Sequence, residues 1–397
     1  MSAFRSFPLS VRLLLVNQLG VNTGFYLLVP YLAAHLAGTL GLSVAVVGIV
    51  LGVRTLSQQG LFLIGGTAAD RLGPRAVIIA GCGLRSVGFG LFALGESVPV
   101  LLAAAVLSGL AGALFNPAVR AYVAVEASEE RRAEAFALFN VFAQAGALLG
   151  PVLGGVLLLW DFRAAALTAA ALFAALTVAQ AFALPARAPA EPVGTVLGDW
   201  RECLANRRFL AFTLALTGLY ALQNQLYLVL PMEAVRVSGF QGSVAALFVV
   251  STAVSLVFQV RITRALRDRP RGRSIALGMA VMGAGFLAPV LSYAWPALGV
   301  PAVLVATLGL AVGVMIAHPF VYELIPSFGR EGLAGTYFGM FYLASGVVAA
   351  AANGVIGWAA GASGAWGSAV SAAIGLASAG AVHVLHRRGA LEKEAVR

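Results

Sequence analysis

Charged residues and cysteines are scarce in this sequence. Of its 397 residues, 11% are charged and 60% are hydrophobic, whereas soluble globular domains carry roughly 25% charged residues. This composition excludes an ordinary water-soluble fold. The two cysteines, Cys82 in an apolar stretch and Cys203 in a polar one, offer neither a disulfide framework nor a metal cluster.

Catalytic motifs are also missing. The sequence has no phosphate-binding Gly-x-x-x-x-Gly-Lys loop, no cluster of metal ligands and no nucleophile with its base. The net charge of +10 comes from basic residues dispersed among short connections, so nucleic acid is not an expected partner. We therefore expect no enzyme activity, no cofactor and no metal.

The sequence does contain apolar stretches of about 20 residues, each long enough to cross a hydrocarbon core of about 30 Å as a helix. They predict an all-α polytopic membrane protein with twelve transmembrane helices. The first stretch is too long for a signal-peptide core and is expected to remain as the first helix. The predicted spans are 11–36, 43–65, 76–94, 98–122, 133–159, 162–184, 208–231, 240–261, 274–294, 299–325, 332–357 and 364–386.

The longest polar interval, 185–208, is expected to be a cytoplasmic linker between two pseudo-symmetric six-helix bundles, 1–184 and 209–397. The halves echo each other, because Asn116-Pro117 ends the fourth span as His318-Pro319 ends the tenth. Such internal repeats are typical of carriers built by duplication.

The distribution of basic residues predicts the orientation. If the N-terminus is cytoplasmic, two of the 26 Lys and Arg residues lie in outer loops (Arg163, Arg236) and two lie mid-helix (Arg54, Arg85), which leaves 22 on the cytoplasmic side. This is a strong positive-inside bias. We expect a monomer in the lipid bilayer of a bacterial inner membrane, with both termini cytoplasmic.

The connection after the second span reads Gly66-x-x-x-Asp70-Arg71-x-Gly73-Pro74-Arg75. Glycines permit a tight turn, and an acid can pair with a cation or cap a helix end. The pattern resembles the loop between helices two and three of the major facilitator superfamily, although Pro74 replaces a frequent basic residue. The resemblance implies that superfamily's fold and a conformational gate formed by Gly66, Asp70, Arg71, Gly73 and Arg75.

The fifth span contains Gly146-x-x-x-Gly150-Pro151-x-x-Gly154, which resembles the motif of exporters in that superfamily. Glycines at this spacing leave a flat helix face for close packing, and Pro151 bends the helix. The motif favours export and a gating role for Gly146, Gly150, Pro151 and Gly154. An ordinary packing seam of small residues is the alternative.

Three segments resemble the MdtH-like branch of bacterial drug:proton antiporters: Gly52-Val53-Arg54-x-x-x-Gln58-Gln59-Gly60, Phe115-Asn116-Pro117 and Asp161-Phe162-Arg163. The resemblance covers nearly the whole chain and implies drug export in exchange for protons. That branch offers one acid near the position of Asn17 and another near that of His318, and the sequence departs from it because no acid is evident at mid-membrane depth.

In that superfamily helices one, four, seven and ten line the central cavity, and here they carry polar residues at helical spacing. The polar residues of helices one and seven are expected to form one stripe on each helix. Interhelical hydrogen bonding is the alternative for part of the set. The predicted substrate-binding residues are Gln18, Asn22, Tyr26, Arg54, Gln58, Asn116, Asn140, Gln144, Tyr220, Gln223, Asn224, Tyr227 and Tyr322.

Arg54 and Arg85 lie at mid-span, where a charged side chain costs about 2.5–3.5 kcal/mol on insertion scales. Each is expected to contact an anionic substrate group or to balance a proton site, and a structural role is the alternative. His318 lies inside a predicted cavity helix, and its unperturbed pKa of about 6.5 permits proton exchange near neutral pH. We assign proton coupling to His318 and Glu323, with a neutral packed histidine as the alternative.

These features predict a secondary transporter that exports amphipathic small organic molecules, such as drugs or natural products, by proton antiport with alternating access. Its expected partners are the small-molecule substrate and protons. A carrier for an anionic metabolite organised around Arg54 is the first alternative. A non-transporting membrane receptor is the second.

Overall fold

The computed structural model describes residues 2–185, 194–240 and 243–391. Within these ranges the chain is helical and has no β-strand, which confirms the predicted all-α class. Ten described helices are long and apolar enough to cross a membrane, and eleven are if Ala45–Gly60 and Phe62–Leu72, bent by 45°, form one span.

The chain divides into two compact units. The first contains Met1–Cys203 and Gly329–Leu343, and the second contains Leu204–Phe328 and Ala344–Arg397. Part of the predicted linker, residues 186–193, lies outside the described residues. The bundle boundaries 1–184 and 209–397 stay predictions, and the grouping of Gly329–Leu343 with the first unit was not foreseen.

The first unit is centred on α6, against which α3, α4 and α5 pack, while α2 packs against α7 and α8. Phe89, Phe115 and Phe173 fill its interior and are at most 1% exposed. The helices are α1 (Ser2–Arg5), α2 (Leu9–Ala34), which continues as a π-helical turn (His35–Thr39), α3 (Val44–Gly60), α4 (Phe62–Leu72), α5 (Pro74–Leu94), α6 (Val98–Glu126), α7 (Arg132–Leu157), α8 (Phe162–Ala183) and α9 (Val196–Ala205), whose last two residues belong to the second unit.

Local sequence signals set the ends of several helices. The side chains of Ser43 and Asp161 accept hydrogen bonds from backbone N–H groups in the first turns of α3 and α8 and so cap these helices. Gly73, with φ of 85°, ends α4 in the left-handed region that glycine adopts without strain. Pro74 then occupies the first position of α5, where its missing N–H is not needed.

In the second unit α14 packs against α16 and α18, and α13 packs against α16. Its helices are α10 (Arg207–Ala215), α11 (Thr217–Gln223), α12 (Val229–Ser238), α13 (Ser243–Ala265), α14 (Arg271–Gly285), α15 (Leu287–Ser292), α16 (Gly299–Leu324), the part of α17 (Ala334–Ala362) that follows Leu343, and α18 (Gly364–Arg387).

The seventh predicted span, 208–231, is not one continuous helix. It contains α10, α11, a 3₁₀ turn (Asn224–Leu226) and the first residues of α12. Gln225, which is fully buried, donates to the carbonyl oxygen of Ala221 (2.7 Å) and to Asn353 Oδ1 (3.0 Å) at this break. The prediction of a single polar stripe along this helix is therefore wrong, because that spacing holds only along a regular helix.

Candidate gate, substrate and proton sites

Asp70, near the end of α4, binds the beginning of α17 within the first unit. Its carboxylate accepts hydrogen bonds from the backbone N–H groups of Gly335 (2.7 Å) and Thr336 (2.6 Å) and from the Thr336 hydroxyl (2.7 Å). The first N–H groups of a helix lack intrahelical partners and carry partial positive charge, so a carboxylate is a strong acceptor there. This bonding accounts for the grouping of Gly329–Leu343 with the first unit.

Gly66, one turn before Asp70, lets the backbones of α4 and α17 touch. A Cβ atom at Gly66 would overlap the carbonyl group of Gly335, and one at Gly339 would lie 2.5 Å from the carbonyl oxygen of Phe62. A side chain at either position would separate the two helices and stretch the hydrogen bonds of Asp70. The sequence identified Gly66 but not Gly335 and Gly339, the two glycines of α17 that pack against α4.

Arg71 binds α9. Its guanidinium donates to Asp199 Oδ2 (2.6 and 3.2 Å), while Arg330 donates to Asp199 Oδ1 (2.8 Å). Asp199 is 3% exposed and joins the last turn of α4 to the segment before α17. Arg75 donates instead to the carbonyl oxygen of Ala181 in α8. Sequence analysis gave Asp199 no role, because only its tertiary contacts distinguish it from other acids of the linker.

The last turn of α9 buries Cys203, whose side chain is fully inaccessible to solvent. Burial, followed by the negative charges of Glu202, Asp70 and Asp199, raises the pKa of the Cys203 thiol to about 12. The thiol is therefore protonated at neutral pH and a poor nucleophile. Its reactivity can report on whether α9 stays packed.

The glycines of the fifth predicted span lie in α7 and face α2. A Cβ atom at Gly150 would lie 2.7 Å from Tyr26 Cβ, and Cβ atoms at Gly146 and Gly154 would overlap backbone oxygen atoms of α2. The Pro151 carbonyl oxygen accepts a hydrogen bond (2.6 Å) from a tyrosine hydroxyl of α2. The α2–α7 contact is thus a close-packed glycine seam, and a gating role for these residues stays a prediction.

Asn22, which is held by Gln18, connects α2 to α7 by a hydrogen bond. Gln18 Nε2 donates to Asn22 Oδ1 (2.8 Å), and Asn22 Nδ2 donates to the carbonyl oxygen of Ala143 (2.8 Å). Gln18 is 4% exposed. Interhelical hydrogen bonding therefore describes Asn22, while Gln18 supports it from one turn earlier in the same helix. Tyr26 is half-buried and packs its ring edge against Phe25 (5.2 Å between centroids).

The ring of Phe25 also contacts the guanidinium groups of two arginines. The guanidinium carbons of Arg54 and Arg85 lie 5.4 and 5.6 Å from the centroid of its ring, and Arg54 Nη1 donates to Gln58 Oε1 (3.3 Å). The structure thus places Arg54 and Gln58, both predicted substrate residues, beside Arg85.

In the second unit, the structure brings together Tyr220, His318 and Tyr322. The two tyrosine hydroxyls are 2.9 Å apart, and the rings of Tyr220 and Tyr322 lie 5.9 and 5.0 Å from the His318 ring. Glu323, 8% exposed, forms an ion pair with Arg271 at the start of α14 (2.9 Å). An imidazole between two phenols can donate, accept and exchange protons.

The remaining predicted substrate residues lie on both units. Tyr227 is 64% exposed and packs against Phe248 with 5.3 Å between ring centroids. Those that are half-buried are Asn116 in α6, Asn140 and Gln144 in α7, Gln223 at the end of α11 and Asn224 in the following turn.

Arg120, which was counted with the cytoplasmic charges, lies within α6. Its guanidinium faces the rings of Phe139 (5.3 Å) and Tyr342 (5.0 Å), and Nη1 donates to the carbonyl oxygen of Asn116 (3.1 Å). The predicted span 98–122 already contained this arginine. Its spacing of four residues from Asn116 was the signal that could have identified it.

A buried carboxylate in α12 was also missed. Glu233 is 2% exposed and accepts hydrogen bonds from Arg236 (2.6 Å) and from the Tyr293 hydroxyl (2.7 Å). The Arg236 guanidinium also lies 4.0 Å from the centroid of the Tyr293 ring. The spacing of three residues between Glu233 and Arg236 predicts such a pair on a helix, but Arg236 had been read only as a loop charge.

A sequence profile described as Major Facilitator Superfamily matches residues 14–353. The uncharacterized MFS-type transporter Rv0849 of Mycobacterium tuberculosis (strain ATCC 25618 / H37Rv) is 45% identical over 359 residues, which cover 88% of this chain and 85% of that protein. The multidrug resistance protein MdtH of Aeromonas hydrophila subsp. hydrophila is 30% identical over 327 residues, which cover 82% of this chain and 81% of that protein.

Solved structures share the fold. The fucose:proton symporter FucP of E. coli has a TM-score of 0.77 at 14% identity, covering 94% of this chain and 98% of that chain. The human organic anion transporter MFSD10 (TETRAN) has a TM-score of 0.74 at 19% identity, covering 94% of this chain and 99% of that chain. At these identities the similarity concerns the fold alone.

Proposed function

Because the chain belongs to the Major Facilitator Superfamily, a family of membrane transporters, we propose that it exports amphipathic small organic molecules by proton antiport with alternating access. The relatives named as multidrug resistance protein MdtH support drug-like cargo. The α2–α7 glycine seam supports export. The proposed location is a bacterial inner membrane, where the chain acts as a monomer.

The observation that carries this proposal is the contact of Asp70 with the start of α17. Asp70 accepts hydrogen bonds from Gly335 and Thr336 across more than 260 positions of sequence. Alternating access requires contacts that form in one facing state and break in the other. Carboxylate bonds to a helix start suit this role, because they are strong when dry and are readily replaced by water when the helix moves away.

We assign proton coupling to His318, supported by its position beside the rings of Tyr220 and Tyr322. Protonation would add charge and a second donor to this polar cluster and so favour one arrangement of α11 and α16. Glu323 serves as a second candidate because it is a nearly buried acid on the same helix, paired with Arg271.

Reconstituted liposomes test the transport proposal. Liposomes that are acidic inside should accumulate the permanent cation ethidium or an uncharged amphiphile, since each proton that leaves drives cargo inward, and a protonophore should abolish the accumulation. Protein-free liposomes and liposomes without a pH gradient are the controls. Binding without gradient-driven uptake and without counterflow, for cationic, neutral and anionic amphiphiles alike, would support the receptor alternative instead.

The alternative of an anion carrier keeps one specific observation in its favour, namely the pair of arginines at Phe25. In the same liposomes it predicts transport of amphiphilic carboxylates and none of ethidium. The charge preference of the cargo therefore separates the two candidates.

A further inference from the structure

Arg85 is a buried cation that has no counter-ion in the part of the chain that the structure describes. It lies near the middle of α5 and is 5% exposed. Among the described residues, the Arg85 side chain has no hydrogen-bond or ion-pair partner, although its Nε is buried. Its guanidinium instead faces the rings of Phe25 and Phe173, at 5.6 and 5.4 Å from their centroids. Ring faces attract a cation, but they leave the in-plane N–H donors without strong acceptors.

Arg54 adds a second positive charge at the same ring. Its guanidinium carbon is 5.4 Å from the Phe25 centroid, and its buried Nε also lacks a partner. Its described side-chain acceptors are the neutral oxygens of Gln58 and Thr55, both at 3.3 Å. Neither arginine forms an ion pair with a described carboxylate, so no described residue compensates the two charges.

The neighbouring helix makes room for these groups. A Cβ atom at Gly112 of α6 would lie 2.7 Å from Arg85 Nη2 and 2.9 Å from Gln58 Cδ. The guanidinium of Arg85 and the amide of Gln58 therefore both occupy the space left by this missing side chain. Gln58 accepts from Arg54 through Oε1 and shares with Arg85 the space beside Gly112.

We infer that Arg54, Arg85 and Gln58 bind the oxyanion of an amphiphilic cargo, such as a carboxylate, while Phe25 packs against the apolar body of the cargo. A guanidinium presents paired N–H donors that match a carboxylate. Binding would satisfy donors and neutralise charge that the protein leaves unbalanced. Arg54 and Gln58 are half-buried and give access to the more deeply buried Arg85. This inference rests on the transport function proposed above and, of its two candidate cargo classes, assigns the anionic one.

The experiment compares two probes of similar shape, 2-naphthoate, which carries a carboxylate, and 2-naphthamide, which carries a neutral amide in its place. Calorimetric titration of the purified full chain in detergent should show about tenfold tighter binding of the carboxylate, the factor expected for one charge-assisted hydrogen bond. Arg85→Gln and Arg54→Gln should each abolish this preference and leave amide binding unchanged. Arg163→Gln, at an exposed arginine, is the matched control and should keep it.

Two glycine variants keep the inference testable if the arginine variants do not fold. Gly112→Ala keeps both charges but displaces the Arg85 guanidinium, so it should also lose the carboxylate preference. Gly90→Ala on α5, where a Cβ atom meets nothing within 4 Å, should not. The inference is overturned if the wild type binds both probes equally, or if folded Arg85→Gln retains the preference while its unliganded melting temperature falls.

Probe binding is measured without a gradient, so its result does not depend on whether the chain transports cargo. Equal probe binding together with ethidium uptake would remove the anion site and leave proton-driven export standing. A carboxylate preference without counterflow would leave the anion site standing and remove the transport proposal.

Discussion

Asp70 concentrates three hydrogen bonds from the start of α17 on a single carboxylate. No neutral residue of similar size can reproduce this arrangement. The amide of asparagine offers one oxygen and no charge, and its NH₂ group would face backbone N–H donors. The residue is therefore specified by electrostatics and not by shape.

Asp70→Asn should fold and bind cargo but slow the exchange between facing states. Hydrogen bonds to a charged group contribute about 1.5–3 kcal/mol each. Losing one would therefore reduce at least about tenfold the population of the state in which residue 70 binds the start of α17. Transport should fall, and alkylation of Cys203 by N-ethylmaleimide should rise as α9 loosens, because the thiol is buried and its pKa is about 12 in the packed state.

Two controls accompany this variant. Cys82, 2% exposed in α5, should remain unlabelled throughout, and Asp268→Asn, at an acid whose side chain is 91% exposed, should behave as the wild type. Undiminished transport by well-expressed Asp70→Asn with unchanged Cys203 labelling would remove the gating role.

His318→Gln should retain binding and counterflow but lose uphill transport driven by a pH gradient. Glutamine keeps hydrogen-bonding groups beside Tyr220 and Tyr322 but cannot titrate near neutral pH. The readout is cargo accumulation in liposomes at several internal pH values, with His383→Gln, at an exposed position, as the control. If the variant still concentrates cargo with an unchanged pH profile, the proton passes elsewhere, and Asp70, Glu126 and Glu323 become the candidates.

Among the helices, sequence patterns predicted what depends on local spacing. The glycines of α7 recur every four residues, and this periodicity alone indicated a flat packing face. It could not identify α2 as the partner. The break after Gln223 was missed because Gln225 bonds to Asn353, which is distant in the chain. Gly66 and Asp70 were recognised from their spacing. Their partners in α17 were not, because those residues are distant in the chain.

Gly150→Ala should destabilise the first unit, because its Cβ atom would lie 2.7 Å from Tyr26 Cβ. Overpacking of this kind costs about 1–3 kcal/mol. Gly155→Ala is the matched control in the same helix, since its nearest neighbour would be 3.4 Å away. Thermal unfolding in detergent, monitored by size-exclusion chromatography, should show a lower midpoint for Gly150→Ala alone. Equal midpoints for the two variants would contradict the close packing.

For the molecule as a whole, composition predicted the membrane class and the all-α fold, because spanning a bilayer constrains every helix in the same way. The candidate sites are less constrained. Arg54 and Arg85 were noticed because charge is rare at mid-span, but their common contact with Phe25 depends on how α2, α3 and α5 pack. Arg120 was overlooked, because the basic residues were assigned to loops and this arginine lies inside α6.

The bias of basic residues toward one side predicts that both termini and α9 face the cytoplasm. The native cysteines, 2% and 0% exposed, give little background for labelling with a membrane-impermeant maleimide. Trp160→Cys, in a predicted outer loop where the native side chain is 73% exposed, should label in intact cells. Leu197→Cys in α9, where the native side chain is 72% exposed, should label only after permeabilisation. Labelling of Leu197→Cys in intact cells, with Trp160→Cys protected, would invert the orientation and with it the proposed direction of export.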